Sequence, residues 1–204
     1  MLSLIRPMPF LLVVSLSAFG TSSSAQESTS DAPQYDDGNA LVLPQDYRSW
    51  PFLGAGLGLT YEEGGASEEA PLFTQVFVNP SAYRGFLETG SWPDKSLFVL
   101  ELREPASEVS INQSGFFPSD LSGLEAEVKD SRFDDGWAYF SFGNASSGFL
   151  SVAAPLPLES ATGMSAAPCI ECHTAHGAVE RTFVQFYPTL FDIAREKGTL
   201  KPDY

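Results

Sequence analysis

The pentapeptide Cys169-Ile170-Glu171-Cys172-His173 holds both cysteines of this 204-residue chain and one of its two histidines. Cys-x-x-Cys-His is the attachment spacing of a c-type haem, in which two thioether bonds hold the porphyrin edge and the next residue's imidazole reaches the iron. On this reading Cys169 and Cys172 are the anchors, His173 is the metal ligand, and each chain carries one haem c with its iron. Three other chemistries compete for the same residues. A closed zinc cage needs four ligands, and the chain offers only one more histidine, His176, and no further cysteine. A redox dithiol belongs near a βαβ pattern early in a domain, whereas this motif lies late in a chain that reads as β-rich. A disulfide between residues three apart is strained and closes almost no loop, which is a poor reason for the only cysteines.

Residues 1–25 read as a secretory signal, with Arg6 at the start, a short apolar run from Pro9 to Phe19, and small residues Ser23-Ser24-Ala25 for cleavage. The apolar run is too short to span a bilayer, so the expected product is exported, periplasmic or secreted, with no membrane attachment after cleavage. Removing this segment takes away Arg6 and no acid, which leaves the net charge one unit below the −15 of the whole chain. So negative a field disfavours nucleic acid and anionic lipid as partners and would steer a cationic redox partner protein; a solvated surface that keeps an exported protein soluble is the plainer alternative.

Residues 26–40 are polar, acidic and without periodicity, and read as a flexible leader to a single domain over 41–204. Pro44 and the residues to Trp50 suit a short helical turn. Phe52 to Thr60 carries Gly54, Gly56 and Gly58, and residues 61–70 form an acidic loop. Strands are expected over 72–78, 96–102, 124–129 and 136–142, with a short helix over 81–88 closed by Gly90. Residues 105–122 read mainly as loop, and a Gly/Ser loop spans 143–148. Val179, Phe183, Phe186, Leu190 and Ile193 recur at helical steps, and Pro188 should split that stripe into two helices or kink it. The fold class is therefore α+β, mainly β: a curved antiparallel sheet with short flanking helices and a C-terminal helical segment carrying the haem motif.

The histidine count limits what can occupy the other side of the iron. His176 is one helical turn from His173 and attached to the same side, so it cannot cross to the opposite axial position. Met164, the only methionine beyond residue 8, lies five residues before Cys169, too short a tether to swing over the ring. The expected state is five-coordinate.

Leu43-Pro44 with Tyr47 to Trp50, Val76 to Pro80 with Ala82-Tyr83, Gly136 to Tyr139, and Cys169 to His173 followed by Phe183 to Pro188 together resemble the cytochrome P460 family, which also contains the β-type cytochromes c′. The resemblance runs from about Leu41 to about Leu190. It implies a mostly antiparallel β domain, usually a homodimer, with one c-type haem. In the hydroxylamine-oxidising branch of that family a strand lysine is cross-linked to the porphyrin, and here its position falls on Leu100. Lys95 is an odd number of residues back and points to the other face. In the uncross-linked branch, which this chain resembles more, the pocket is apolar and the protein is similar to a binder of nitric oxide and carbon monoxide. Phe98 and Leu100 share one side of their strand and are the expected cofactor-binding lining. The ligand is then a small diatomic molecule; oxidation of hydroxylamine or nitric oxide is the enzyme alternative, and periplasmic electron transfer the third.

Overall fold

The computed structural model describes residues 30–60, 71–144, 157–164 and 167–204. The signal-like segment, the acidic stretch 61–70 and most of the loop after Gly143 lie outside the described residues. A short strand β1 (Leu41–Val42) leads to a 3₁₀ turn over Tyr47–Ser49 and then to β2 (Phe52–Leu57), β3 (Phe73–Val78), helix α1 (Pro80–Thr89), β4 (Ser96–Ala106), β5 (Phe117–Lys129), β6 (Trp137–Asn144), β7 (Ser160–Ala161), helix α2 (Ala167–His176) and helix α3 (Pro188–Lys197). β2 to β6 form one antiparallel meander in sequence order, and β1 pairs with β7. The α+β, mainly β architecture expected from the sequence is the one observed.

Side-chain parity sorts the sheet into two buried faces. Leu97 and Val99 on β4, Ala126 and Val128 on β5, and Phe140 and Phe142 on β6 pack against Leu41, Leu43, Tyr47 and Trp50 of the N-terminal segment. Val78 and Phe98 face the other way, into a second cluster with Phe86, Trp92, Val184, Leu190 and Ala194. With both faces covered, β4 begins as the continuous apolar run Leu97 to Leu100 rather than an alternating one. Register shifts between Phe52 and Gly54, Leu102 and Arg103, and Gly123 and Glu125 interrupt the ladders, and such bulges bend and twist a sheet.

Local chemistry sets the ends of the helices. α1 starts at Pro80, and the buried Asn79 before it ties it to β4, accepting from the Leu97 N–H at 2.8 Å and donating to the Lys95 carbonyl at 3.1 Å. Gly90 closes it in the left-handed region at φ 74°. α3 likewise begins at Pro188, where the pyrrolidine ring costs no hydrogen bond. Trp92 packs at a tilt against Phe86, meets Phe98 edge-on at 4.6 Å and donates its indole N–H to Thr182 at 2.7 Å, linking α1 and β4 to the segment after α2.

Three sequence expectations change. Residues 105–122 are not mainly loop, because β4 and β5 extend to Ala106 and back from Phe117, pairing across Pro105 and Pro118 despite both prolines. The stripe from Val179 to Ile193 is not helical before Pro188: Val179 pairs with Thr182 in a tight turn and only a single 3₁₀ turn, Val184–Phe186, precedes α3. Residues 31–40 are held against the domain, since Asp31 accepts from both the N–H and hydroxyl of Ser81, and Tyr35 donates to the buried Asp130 at 3.0 Å and packs on Phe133 and Phe140. The flexible-leader reading fails there, because aromatic and carboxylate anchors outweigh a polar composition.

The N-terminal layer is pinned by one carboxylate. Glu101, 2% exposed, accepts from Tyr47 Oη at 2.5 Å, Arg48 Nε at 2.7 Å and Arg103 Nε at 2.5 Å. Burial alone would raise its pKa, but the bonds from Arg103 and Tyr47 outweigh it and hold the group below the ordinary 4.5. Asp130, fully buried beside Lys95 and Tyr35, is likewise held below its ordinary 3.8. Carboxylates depressed in the fold add stability that is complete above their unfolded pKa and is lost as pH falls through the folded one. Stability measured by urea denaturation should therefore hold down to about pH 4.5 and decline in acid. Glu101→Ala should cost about 3 kcal/mol at neutral pH, since it leaves Arg103 partly buried without its partner.

Candidate haem site

A cavity of about 760 Å³ lies between the sheet, α2 and the segment leading to α3. Its sheet wall follows the register: Gly54, Val76, Leu100 and Glu125 lie side by side on successive strands, and Phe98, Glu127 and Tyr139 form the neighbouring row. Phe98 and Leu100 both line it, as their shared parity requires. Phe183, Phe186 and Tyr187 close the cavity at the sheet's β2 edge.

The glycines of β2 make this closure possible. A Cβ on Gly54 would sit 2.6 Å from the Phe186 carbonyl oxygen, and one on Gly56 would sit 2.4 Å from a Leu59 methyl carbon and 2.8 Å from Thr74 Oγ1. The Gly54 position admits only a hydrogen, so the backbone after α2 can lie directly on the strand, whereas the contacts at Gly56 are with side-chain ends that can shift.

Helix α2 brings Cys169, Cys172 and His173 to the cavity together with Pro168. None of its ten residues is buried, so it owes almost nothing to protein core, and its inward side chains border the cavity instead. The imidazole is held on three sides: Tyr139 meets it edge-on at 4.8 Å, Phe183 lies at 4.6 Å, and Nδ1 sits 2.9 Å from the Arg181 carbonyl and 3.2 Å from Glu127 Oε1. Donation from Nδ1 places the lone pair on Nε2, the nitrogen left to coordinate. Burial would lower the pKa of His173, but the Glu127 bond and charge raise it overall. The Tyr139 hydroxyl is buried in the cavity wall beside Glu127 yet makes no hydrogen bond of normal geometry; burial and then the Glu127 charge push its pKa upward.

Rival chemistries fit these residues poorly. Cys169 and Cys172 are unpaired. Burial, followed by the charge of Glu125, raises the Cys169 thiol, the reverse of what a redox dithiol needs. Among the described residues no cluster of three or more histidine, cysteine or acidic side chains could hold a metal ion. A porphyrin fits: an apolar cavity, two thiols one turn apart on its rim, an oriented imidazole, and a buried hydroxyl without a protein partner. Cys169 and Cys172 would hold it covalently and His173 Nε2 would coordinate the iron.

The remaining sequence candidates fall on either side of the wall. His176 is exposed at the end of α2, where its carbonyl accepts from Gln185 and Tyr204, and it does not reach the cavity. Lys95 precedes β4 and pairs with Asp130 on the far side, away from Leu100. Met164 does line the cavity, with its N–H on the Tyr139 carbonyl at 2.9 Å, which ties its backbone to the strand flanking His173. Sequence reading missed Glu125 and Glu127. Their alternation in Leu124 to Lys129 suggests a half-exposed strand, and only the pairing with β4 shows that the charged face looks into the cavity.

No helix among the described residues is long and apolar enough to cross a membrane. The family model for cytochrome P460 matches residues 44–184, and no curated protein matches the chain. Gly54→Ala should push the Phe186 backbone off β2 and cost about 1–3 kcal/mol, read by thermal or urea denaturation.

Proposed function

The chain belongs to the cytochrome P460 family, whose members carry haem c, and we propose that it is an exported mono-haem cytochrome that binds a small neutral ligand such as nitric oxide or carbon monoxide. The observation that carries this reading is the character of the cavity: His173 is its only imidazole, and Leu100, which by the family resemblance takes the position of the cross-linking amine, lines it with an aliphatic side chain. Bound haem would supply an iron with one axial position open to a diatomic ligand. The protein's part is to hold the imidazole on one side and to wall much of the rest of the cavity with apolar groups.

Val76, Phe98 and Leu100 on the sheet and Leu59 and Phe186 across from it give such walls. These side chains offer no donor to a polarised oxygen, which favours neutral diatomics over a stable oxygen complex. Thr74 Oγ1 is engaged as acceptor of the Gly56 N–H at 3.1 Å. The strongly acidic surface agrees with a cationic redox partner. By the family resemblance, the protein forms a homodimer.

A second reading, oxidation of hydroxylamine or nitric oxide, has one observation in its favour. Glu125 and Glu127 place carboxylates in the cavity wall, and carboxylates can accept the protons such an oxidation releases. Leu100 weighs against it, as does the engagement of Lys95 with Asp130.

Optical titration of the purified ferrous and ferric protein with nitric oxide and carbon monoxide separates these readings. The expected result is a high-spin ferrous spectrum that shifts on addition of either gas. A low-spin ferrous spectrum indifferent to carbon monoxide would overturn the assignment in favour of an electron carrier. A red-shifted ferrous Soret band with a lysine peptide left on the porphyrin after digestion would favour the enzyme.

Two substitutions test the walls. Met164→Leu should leave the ferrous spectrum and carbon monoxide affinity within about twofold of the parent, because an isosteric exchange of a non-ligand removes nothing from the iron. Leu100→Lys should introduce a cross-link or a lysine-ligated spectrum.

A further inference from the structure

We infer that Glu127 sets the electron-donating strength of the axial imidazole, acting through His173 rather than on the bound ligand. The inference rests on the reading of His173 as the iron's axial ligand.

Nδ1 of His173 carries a single proton and faces two acceptors, the Arg181 carbonyl at 2.9 Å and Glu127 Oε1 at 3.2 Å. The two come from different parts of the fold and do different work. Arg181 lies in the turn just after α2, so its carbonyl fixes the ring's rotation within one stretch of chain. Glu127 arrives from β5, across the cavity floor, and brings a charge. A histidine that donates to a neutral carbonyl remains an ordinary imidazole; one that also donates to a carboxylate gains imidazolate character and becomes a stronger ligand.

The surroundings keep that charge effective. Glu127 is flanked on its strand neighbours by Phe98 and Tyr139, and its side chain is 13% exposed, so solvent screens it little. The neighbouring cation on the same strand, Lys129, is committed to the Trp92 carbonyl and to Glu180. Among the described residues Glu127 forms no ion pair with a lysine or arginine, and its polar contact is the His173 Nδ1. The Tyr139 hydroxyl beside it makes no hydrogen bond of normal geometry. A stronger axial donor favours the ferric over the ferrous state, so Glu127 should hold the midpoint potential down and strengthen the iron–histidine bond. Glu127 is thus a positioning and tuning residue, and it assigns a use to a carboxylate that neither thioether attachment nor ligand enclosure requires.

Glu127→Gln keeps the shape and an acceptor oxygen while removing the charge. In the haem-loaded full-length protein it should raise the midpoint potential and move the ferrous iron–histidine stretch, read by resonance Raman, to lower frequency; Glu127→Asp should return both towards the parent values. The parent protein tests the same point without a variant: its iron–histidine stretch should lie above that of ferrous haem bound by a neutral imidazole. An iron–histidine band at the neutral-imidazole frequency, or one that Glu127→Gln leaves unmoved together with the potential, overturns the inference while leaving His173 as the ligand. A parent protein with no iron–histidine band overturns the axial assignment itself, and this inference with it.

Discussion

A sheet buried on both faces must assign every residue to one side or the other, and most of this structure follows from that assignment. β4 is the central case. Its odd-numbered residues Leu97, Val99 and Glu101 look towards the N-terminal layer, while Phe98 and Leu100 look towards the cavity. Because the period of a strand is two, slipping β4 by one residue would carry Glu101 into the cavity and withdraw Leu100 from it. The buried Glu101, clasped by Tyr47, Arg48 and Arg103, resists that slip, since its charge has partners on one face only. A polar network on one side of the sheet thereby keeps the register of an apolar wall on the other.

The cavity side is assembled from pieces with little packing of their own. α2 buries no residue, and the turn that follows it is a tight bend and a single 3₁₀ turn. What holds this segment is contact from outside: Trp92 on Thr182, the Phe186 backbone on Gly54, and Pro188 starting α3. A covalently tethered porphyrin is a physical complement to such an arrangement. It would supply the apolar contacts that α2 lacks, and two thioether bonds would limit the freedom of a helix that core packing does not secure.

Electrostatics divide the cavity in a way that apolar composition does not reveal. Most of its wall is aliphatic or aromatic, yet Glu125 and Glu127 stand on the β5 side, with Glu127 at the back of the imidazole. Charge lies where it would act through the proposed axial ligand, and the aliphatic groups of β3 and β4 lie elsewhere on the wall. That division is compatible with a site that tunes its metal while offering an incoming ligand few polar contacts.

The sequence by itself carried the expectation of thioether attachment, because Cys-x-x-Cys-His is a local motif whose spacing needs no tertiary information. It also determined most of the strands and the helix after Asn79-Pro80, where period-two runs, proline and glycine act over a few residues. Local pattern misjudged residues 105–122, where pairing overrode two prolines, and residues 31–40, where Tyr35 and Asp31 find partners far along the chain. The direction faced by Glu125 and Glu127 was likewise beyond it, since an alternating strand reads the same whether its polar face meets water or a cavity. Only the tertiary structure decided that, by laying α2 over the β5 face and the Phe183–Tyr187 segment along β2, and so turning a surface into a wall.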